Sequence, residues 1–183
     1  MKITTKTQLA LNHLRTGVIA HPTDTIYGLA CMANNPEAIK TLASLKHRDI
    51  KKGFILLASD INYLLPYIDS NLDIDLLTKL STPTEIATTY LVPKSKNTSR
   101  LITGEHEFLA VRITSNPLIS YFCENTGSAL ISTSANTQGG KVATSLIELK
   151  KYVGTELSYA LPPNKYNSDP SRIVNLLTGV RHR

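Results

Sequence analysis

The stretch "GVIAHPTDTIYGLACMA", residues 17–33, decides how this chain is read. Val18, Ile19 and Ala20 form an apolar run bounded by Gly17 and Pro22, the pattern of a short buried strand. Thr23, Asp24, Thr25 and Tyr27 follow at once, then Gly28, and the chain turns apolar again. A strand that only fills a core does not need four polar side chains crowded at its end. Two readings stay open for the cluster by itself. The hydroxyls and the short carboxylate cap a turn, or they form a polar pocket floor to which Tyr27 adds a ring.

Outward from this stretch, helical and strand-like patterns alternate. Thr7 is expected to cap a first helix that carries Leu11 and Leu14 on one face and stops at Gly17. Asn35 and Pro36 are a cap and first-turn pair, and the helix they open carries Ile39, Leu42 and Ala43 on one side. "GFILLAS", "ATTYLVP" and "FLAVRIT" read as strands, and "DINYLLPYI" as a short helix bent or ended by Pro66. "NPLISYFCENTG" has the cap, the proline and the closing glycine of a helix. "SALISTSAN" begins as a strand and ends in hydroxyls, "SLIELKKYVG" is an amphipathic helix, and "LSYALPP" and "SRIVNLL" are extended. The pattern predicts an α/β fold, a twisted, partly mixed open sheet with helices on its faces, forming one domain over residues 1–183. Ligands in such sheets sit beyond strand ends, where the polar clusters fall.

Twenty Lys and Arg against fourteen Asp and Glu leave a net charge of +6. That excess suits a polyanionic partner such as a nucleotide or an RNA, and equally a basic enzyme with a solvated surface. Cys31 and Cys123 form neither a disulfide framework nor a zinc pattern, and read as reduced, buried thiols. No run approaches a signal peptide or the ~20 apolar residues of a membrane span, so the expected location is cytoplasmic, away from membranes.

Four further clusters could carry chemistry. In "LKHRDIKKG", residues 45–53, Lys46, Arg48, Lys51 and Lys52 face one Asp49. A lysine point charge beside an arginine fork is a common pairing for phosphate oxygens, although such runs also end solvated helices. With no Walker A and no GxGxxG pattern, any nucleotide is held by side chains. "ISTSAN", residues 131–136, offers Ser132, Thr133, Ser134 and Asn136 after a strand, with no GxSxG elbow to suggest a serine hydrolase. In "LAVRITSNP", alternation puts Leu109, Val111 and Ile113 on one face and Ala110, Arg112 and Thr114 on the other, so Arg112 faces either an anion or solvent. The tail "DPSRIVNLLTGVRHR" adds Ser171, Arg172, Arg181 and Arg183. None of the five histidines has a telling partner, and His21, beside the first cluster, reads as structural.

Taken together and in order, these stretches resemble the YrdC/TsaC family, the threonylcarbamoyl-AMP synthases of tRNA modification. "HPTDTIYGLAC" looks like the family's PT(D/E)TxYGLG segment, and the KxR…SxN set falls on Lys46, Arg48, Ser134 and Asn136. The resemblance implies a YrdC-type sheet around a basic concave surface. It implies a reaction of L-threonine, bicarbonate and ATP with Mg²⁺, no tightly bound metal, and downstream transferases that pass the threonylcarbamoyl group to tRNA. By the same analogy Lys46, Arg48, Ser134 and Asn136 are the catalytic set. Lys46, Arg48, Lys52, Ser134, Asn136 and Arg181 contact ATP. Thr25, Arg112, Ser132 and Ser171 form the threonine pocket. The sequence departs from the family at "PTEIATTYLVP", where only Thr89 matches a WPGPxT segment, and at Phe108, where a small hydroxyl residue is usual. The competing expectation is a non-catalytic module that binds tRNA or other double-stranded RNA through the same basic surface.

Overall fold

The computed structural model describes residues 1–82, 84–137, 139–154, 157, 159–164 and 170–182. Along the chain come β1 (Lys2–Ile3), α1 (Thr7–Leu14), β2 (Ile19–Pro22), β3 (Tyr27–Met32), α2 (Pro36–Leu45), β4 (Ile55–Ala58), α3 (Ile74–Ser81), β5 (Thr88–Pro93), α4 (Arg100–Thr103), β6 (Phe108–Ile113), α5 (Pro117–Thr126), β7 (Leu130–Ser134), α6 (Leu146–Val153), β8 (Tyr159–Ala160) and β9 (Arg172–Asn175). The strands make one sheet in the order β1-β8-β2-β3-β7-β4-β6-β5-β9. It is mixed: β4 runs parallel to β6 and β5 to β9, whereas β2–β3, β3–β7, β4–β7 and β5–β6 are antiparallel.

The period of two along each strand separates a core face from a site face. One cross-strand row runs Cys31, Ile131, Leu56, Val111, Tyr90, and all five side chains are buried. Each large apolar member contributes about 1.5–3 kcal/mol by leaving water. The next row runs Ala30, Ser132, Ile55, Ala110, Leu91. Its last four members line the large cavity described below.

The opening stretch is a hairpin. Pro22 pairs with Tyr27, so residues 23–26 are its tip. The strand β3 is missing from the expected elements because "YGLACM" does not alternate: all six residues are buried, the signature of a strand covered on both faces. The helix expected at Thr7 begins there, but Thr7 is its first helical residue. Lys6 holds the cap position without a side-chain cap bond, and Arg15 ends the helix before Gly17. Asn35 caps α2 as expected, accepting from the Ala38 amide at 3.0 Å. "DINYLLPYI" holds only a 3-10 turn at Ile61–Tyr63, capped by Asp60. The helices α3 and α4 are additional to the elements that the sequence pattern predicts. Both cysteines are buried and unpaired. Among the described residues no helix is long and apolar enough to cross a membrane.

Candidate active site

Thr23 builds the hairpin tip. Its hydroxyl donates to the Ile26 carbonyl at 2.7 Å and accepts from the amides of Thr25 and Ile26. With that proton committed, the 3.2 Å contact between the two threonine hydroxyls is donated by Thr25. The Thr25 oxygen then accepts from Arg112 Nη1 at 3.3 Å. Thr23 thus shapes the turn, and both Thr23 and Thr25 line the large cavity. The ring of Tyr27 does not contribute to that cavity. It is buried, and its hydroxyl donates to the Leu161 carbonyl at 2.5 Å.

Arg112 lies on the site face of β6, opposite Leu57. Its side chain is 8% exposed, and Nη2 sits 2.5 Å from Asp24 Oδ2, which also accepts from the Thr114 hydroxyl. Its Nε is buried with no partner among the described residues. Burial pulls the guanidinium pKa down, and Asp24 opposes that pull. A guanidinium so placed keeps one N–H in reserve for an acceptor, and a buried donor of this kind costs energy until it is used. Beside it Thr89 and Ser171 share a 2.8 Å hydrogen bond between hydroxyls.

The KxR…SxN residues assemble at the ends of α2 and β7. Arg48 donates from Nε and Nη2 to the Gly53 carbonyl at 3.1 and 2.8 Å and lies 5.2 Å over the Phe54 ring. Lys46 is 2% exposed. Its Nζ donates to the Ser134 carbonyl and to both the carbonyl and the Oδ1 of Asn136. Asn136 Oδ1 also accepts from Ser134 Oγ at 2.7 Å, and Nδ2 donates to the Gly140 carbonyl. Burial, and then the charge of Arg48, lower the Lys46 pKa to about 8.

One cavity of about 1030 Å³ brings most of the expected residues together. Thr25, Arg48, Lys52, Arg112, Ser132, Ser134, Asn136 and Ser171 line it. Two expected residues lie elsewhere. Lys46 sits behind the wall, engaged with the SxN turn. Arg181 lines an adjoining pocket of about 570 Å³ with Asp24, Thr25, Arg112 and Arg172. Arg183 falls outside the described residues.

The Sua5/YciO/YrdC family model, described as "Telomere recombination", matches residues 13–182. The chain belongs to the Sua5/YciO/YrdC family. The threonylcarbamoyl-AMP synthase of Acinetobacter baumannii is 38% identical over 184 residues, 97% of each chain, and that of Pseudoalteromonas atlantica is 39% identical over 153 residues, 80% of this chain and 79% of the relative. Among solved structures, E. coli YciO superposes with a TM-score of 0.77 at 23% identity, covering 97% of this chain and 89% of YciO. P. abyssi Sua5 complexed with L-threonine superposes with a TM-score of 0.80 at 22% identity, and this chain spans 50% of its length.

Within this Sua5/YciO/YrdC member, the site contains residues that sequence reasoning left out. Asp24 was part of the first cluster without a role, and its partner lies 88 positions away. Ile102 and Thr103 reach the cavity from α4, a single helical turn with no periodic signal, and Phe108 lines the cavity from the start of β6. Among the described residues no three His, Cys, Asp or Glu side chains are grouped to hold a metal ion.

Proposed function

We propose that this chain forms L-threonylcarbamoyladenylate and pyrophosphate from L-threonine, bicarbonate and ATP, for modification of a tRNA adenosine beside the anticodon. One observation carries the reading. Arg112, buried with a donor in reserve beside Thr25 and Ser171, shares a single cavity with Arg48 and Lys52. The same cavity thus offers a guanidinium suited to an amino-acid carboxylate and further cations suited to a triphosphate. The relatives named threonylcarbamoyl-AMP synthase support it at 38–39% identity.

In this reading the threonine amine reacts as the neutral base with the carbon of CO₂ or activated bicarbonate. A carbamate oxygen then attacks the α-phosphorus as the bond to the departing pyrophosphate breaks. Mg²⁺ enters with the nucleotide, as part of the substrate. The protein's share is positioning and charge neutralisation, which fits a site of cations and hydroxyls. Downstream transferases carry the group to tRNA, and the protein works in the cytoplasm.

The test is to incubate the pure protein with ATP, bicarbonate and labelled threonine. Pyrophosphate and a threonylcarbamoyl adenylate are expected, and both disappear when threonine or bicarbonate is omitted. Equal pyrophosphate release without either co-substrate would make the protein a plain pyrophosphatase. Failure to bind threonine, with salt-sensitive RNA binding retained, would make it an RNA module.

A further inference from the structure

The largest unexplained feature near the cavity is the imidazole of His21. The side chain is fully buried on β2, at the strand position opposite Gly28, with its ring edge-on to Phe122. Its Nδ1 lies 3.1 Å from the Pro22 carbonyl. A carbonyl can only accept, so Nδ1 carries the proton. Burial lowers the pKa to about 4, so the ring is neutral and Nε2 presents a bare lone pair. That Nε2 has no partner among the described residues.

The space beside Nε2 is defined by a missing side chain. A Cβ on Gly28 would lie 3.3 Å from His21 Nε2 and 3.4 Å from Ser132 Oγ. The two polar atoms thus abut one small space, which glycine keeps open. Ser132 lines the cavity. Its hydroxyl makes no hydrogen bond to the described residues.

We propose that His21 is a positioning residue for Ser132: Nε2 accepts a hydrogen bond from the Ser132 hydroxyl when threonine binds, so that the serine oxygen meets the substrate amine with its lone pairs. The inference rests on the synthase reading above. Its logic is polarity. An ammonium donates and never accepts, so a serine proton aimed at it repels it, whereas the oxygen lone pairs hold it. A neutral imidazole with its only proton on Nδ1 cannot donate from Nε2, which leaves one arrangement for the pair. The same acceptor orients the neutral amine by accepting from one of its N–H bonds, which leaves the nitrogen lone pair free to turn toward the carbon.

Calorimetry with L-threonine tests this on the wild type, His21→Phe, Ser132→Ala and the double variant. Each single change is expected to weaken threonine binding roughly tenfold, leaving ATP affinity unchanged, and the double variant is expected to lose no more than either single one. Losses that multiply in the double variant, or undiminished threonine binding by His21→Phe, overturn the proposal and leave the synthase reading standing. A wild type that binds no threonine overturns both. Should His21→Phe fail to fold, ¹⁵N NMR of the wild-type imidazole serves instead. The Nε2 resonance is expected to move to hydrogen-bonded values on addition of threonine, and an unmoved resonance in a threonine-saturated sample overturns the proposal.

Discussion

Lys46 grips Asn136 twice. Its ammonium lies 2.8 Å from both the Asn136 carbonyl and the Asn136 side-chain oxygen, with the Ser134 carbonyl as a third acceptor at 2.5 Å. All three acceptors belong to the SxN turn, so the lysine holds that turn from behind the cavity wall. Lys46→Met leaves three acceptors without their cation. The expected loss is about 3 kcal/mol, or a melting temperature lower by roughly 6–12 °C for a chain of this size. Arg48→Met, at the cavity itself, is expected to keep most of its stability and lose turnover. Unchanged melting of Lys46→Met with weakened ATP binding would return the lysine to the nucleotide.

Asp24 neutralises Arg112 in the free protein. Asp24→Asn leaves a mostly buried guanidinium without its counter-charge, a change that typically costs about 3–5 kcal/mol. Asp24 is 39% exposed, so the loss is expected toward the lower end of that range. A bound amino-acid carboxylate can take over the missing charge. Thermal scans should therefore show threonine raising the melting temperature of Asp24→Asn more than that of the wild type. Equal increments in the two proteins would place the threonine carboxylate away from Arg112.

These two residues also show how far the sequence could be read. The alternation in "LAVRIT" put Arg112 on the polar face of a strand, and the structure agrees, because period two survives folding. Its partner Asp24 was on the page without a role, because nothing in sequence spacing records a contact across 88 positions. The order of the motifs marked the KxR and SxN stretches, but not that the lysine of the first would be consumed by the carbonyls of the second. The strand β3 escaped because burial on both faces erases alternation, and α4 because four residues are too few to show a period.

His21 predicts an acid limb in stability. The unfolded chain takes up a proton at this residue near pH 6.5, whereas the folded protein refuses it until about pH 4. Between those values the unfolded state binds more protons, so stability falls as the pH is lowered. The drop attributable to His21 is roughly 3 kcal/mol across the window. Denaturant titrations of wild type and His21→Phe between pH 7 and 4 should diverge in slope, with the variant flatter. Parallel slopes would assign the acid sensitivity to other groups.

The last prediction concerns how the basic run is held at the cavity. Gly53 and Gly104 both adopt positive φ, 57° and 61°, and their backbones meet. The Glu105 amide donates to the Lys51 carbonyl at 3.0 Å, and the Phe54 amide to the Ile102 carbonyl at 2.8 Å. A Cβ on Gly104 would lie 2.1 Å from the Lys51 oxygen and 2.6 Å from the Gly53 nitrogen. Both are backbone atoms, so no rotamer change relieves the overlap. Gly104→Ala must push the 50–53 turn away, and with it the Gly53 carbonyl that anchors Arg48. Gly154 supplies the control: its φ and ψ of 58° and −138° match the 61° and −137° of Gly104, yet a Cβ there meets nothing within 4 Å. Gly154→Ala costs only the backbone strain of about 1–3 kcal/mol. Gly104→Ala adds overpacking of about 1–3 kcal/mol and should also reduce turnover, because Arg48 moves with the turn. Melting curves and pyrophosphate-release rates on the two variants separate strain from displacement. Equal stability and equal turnover in both would mean that the close approach of Gly104 does not hold the 50–53 turn, and Arg48 with it, in place.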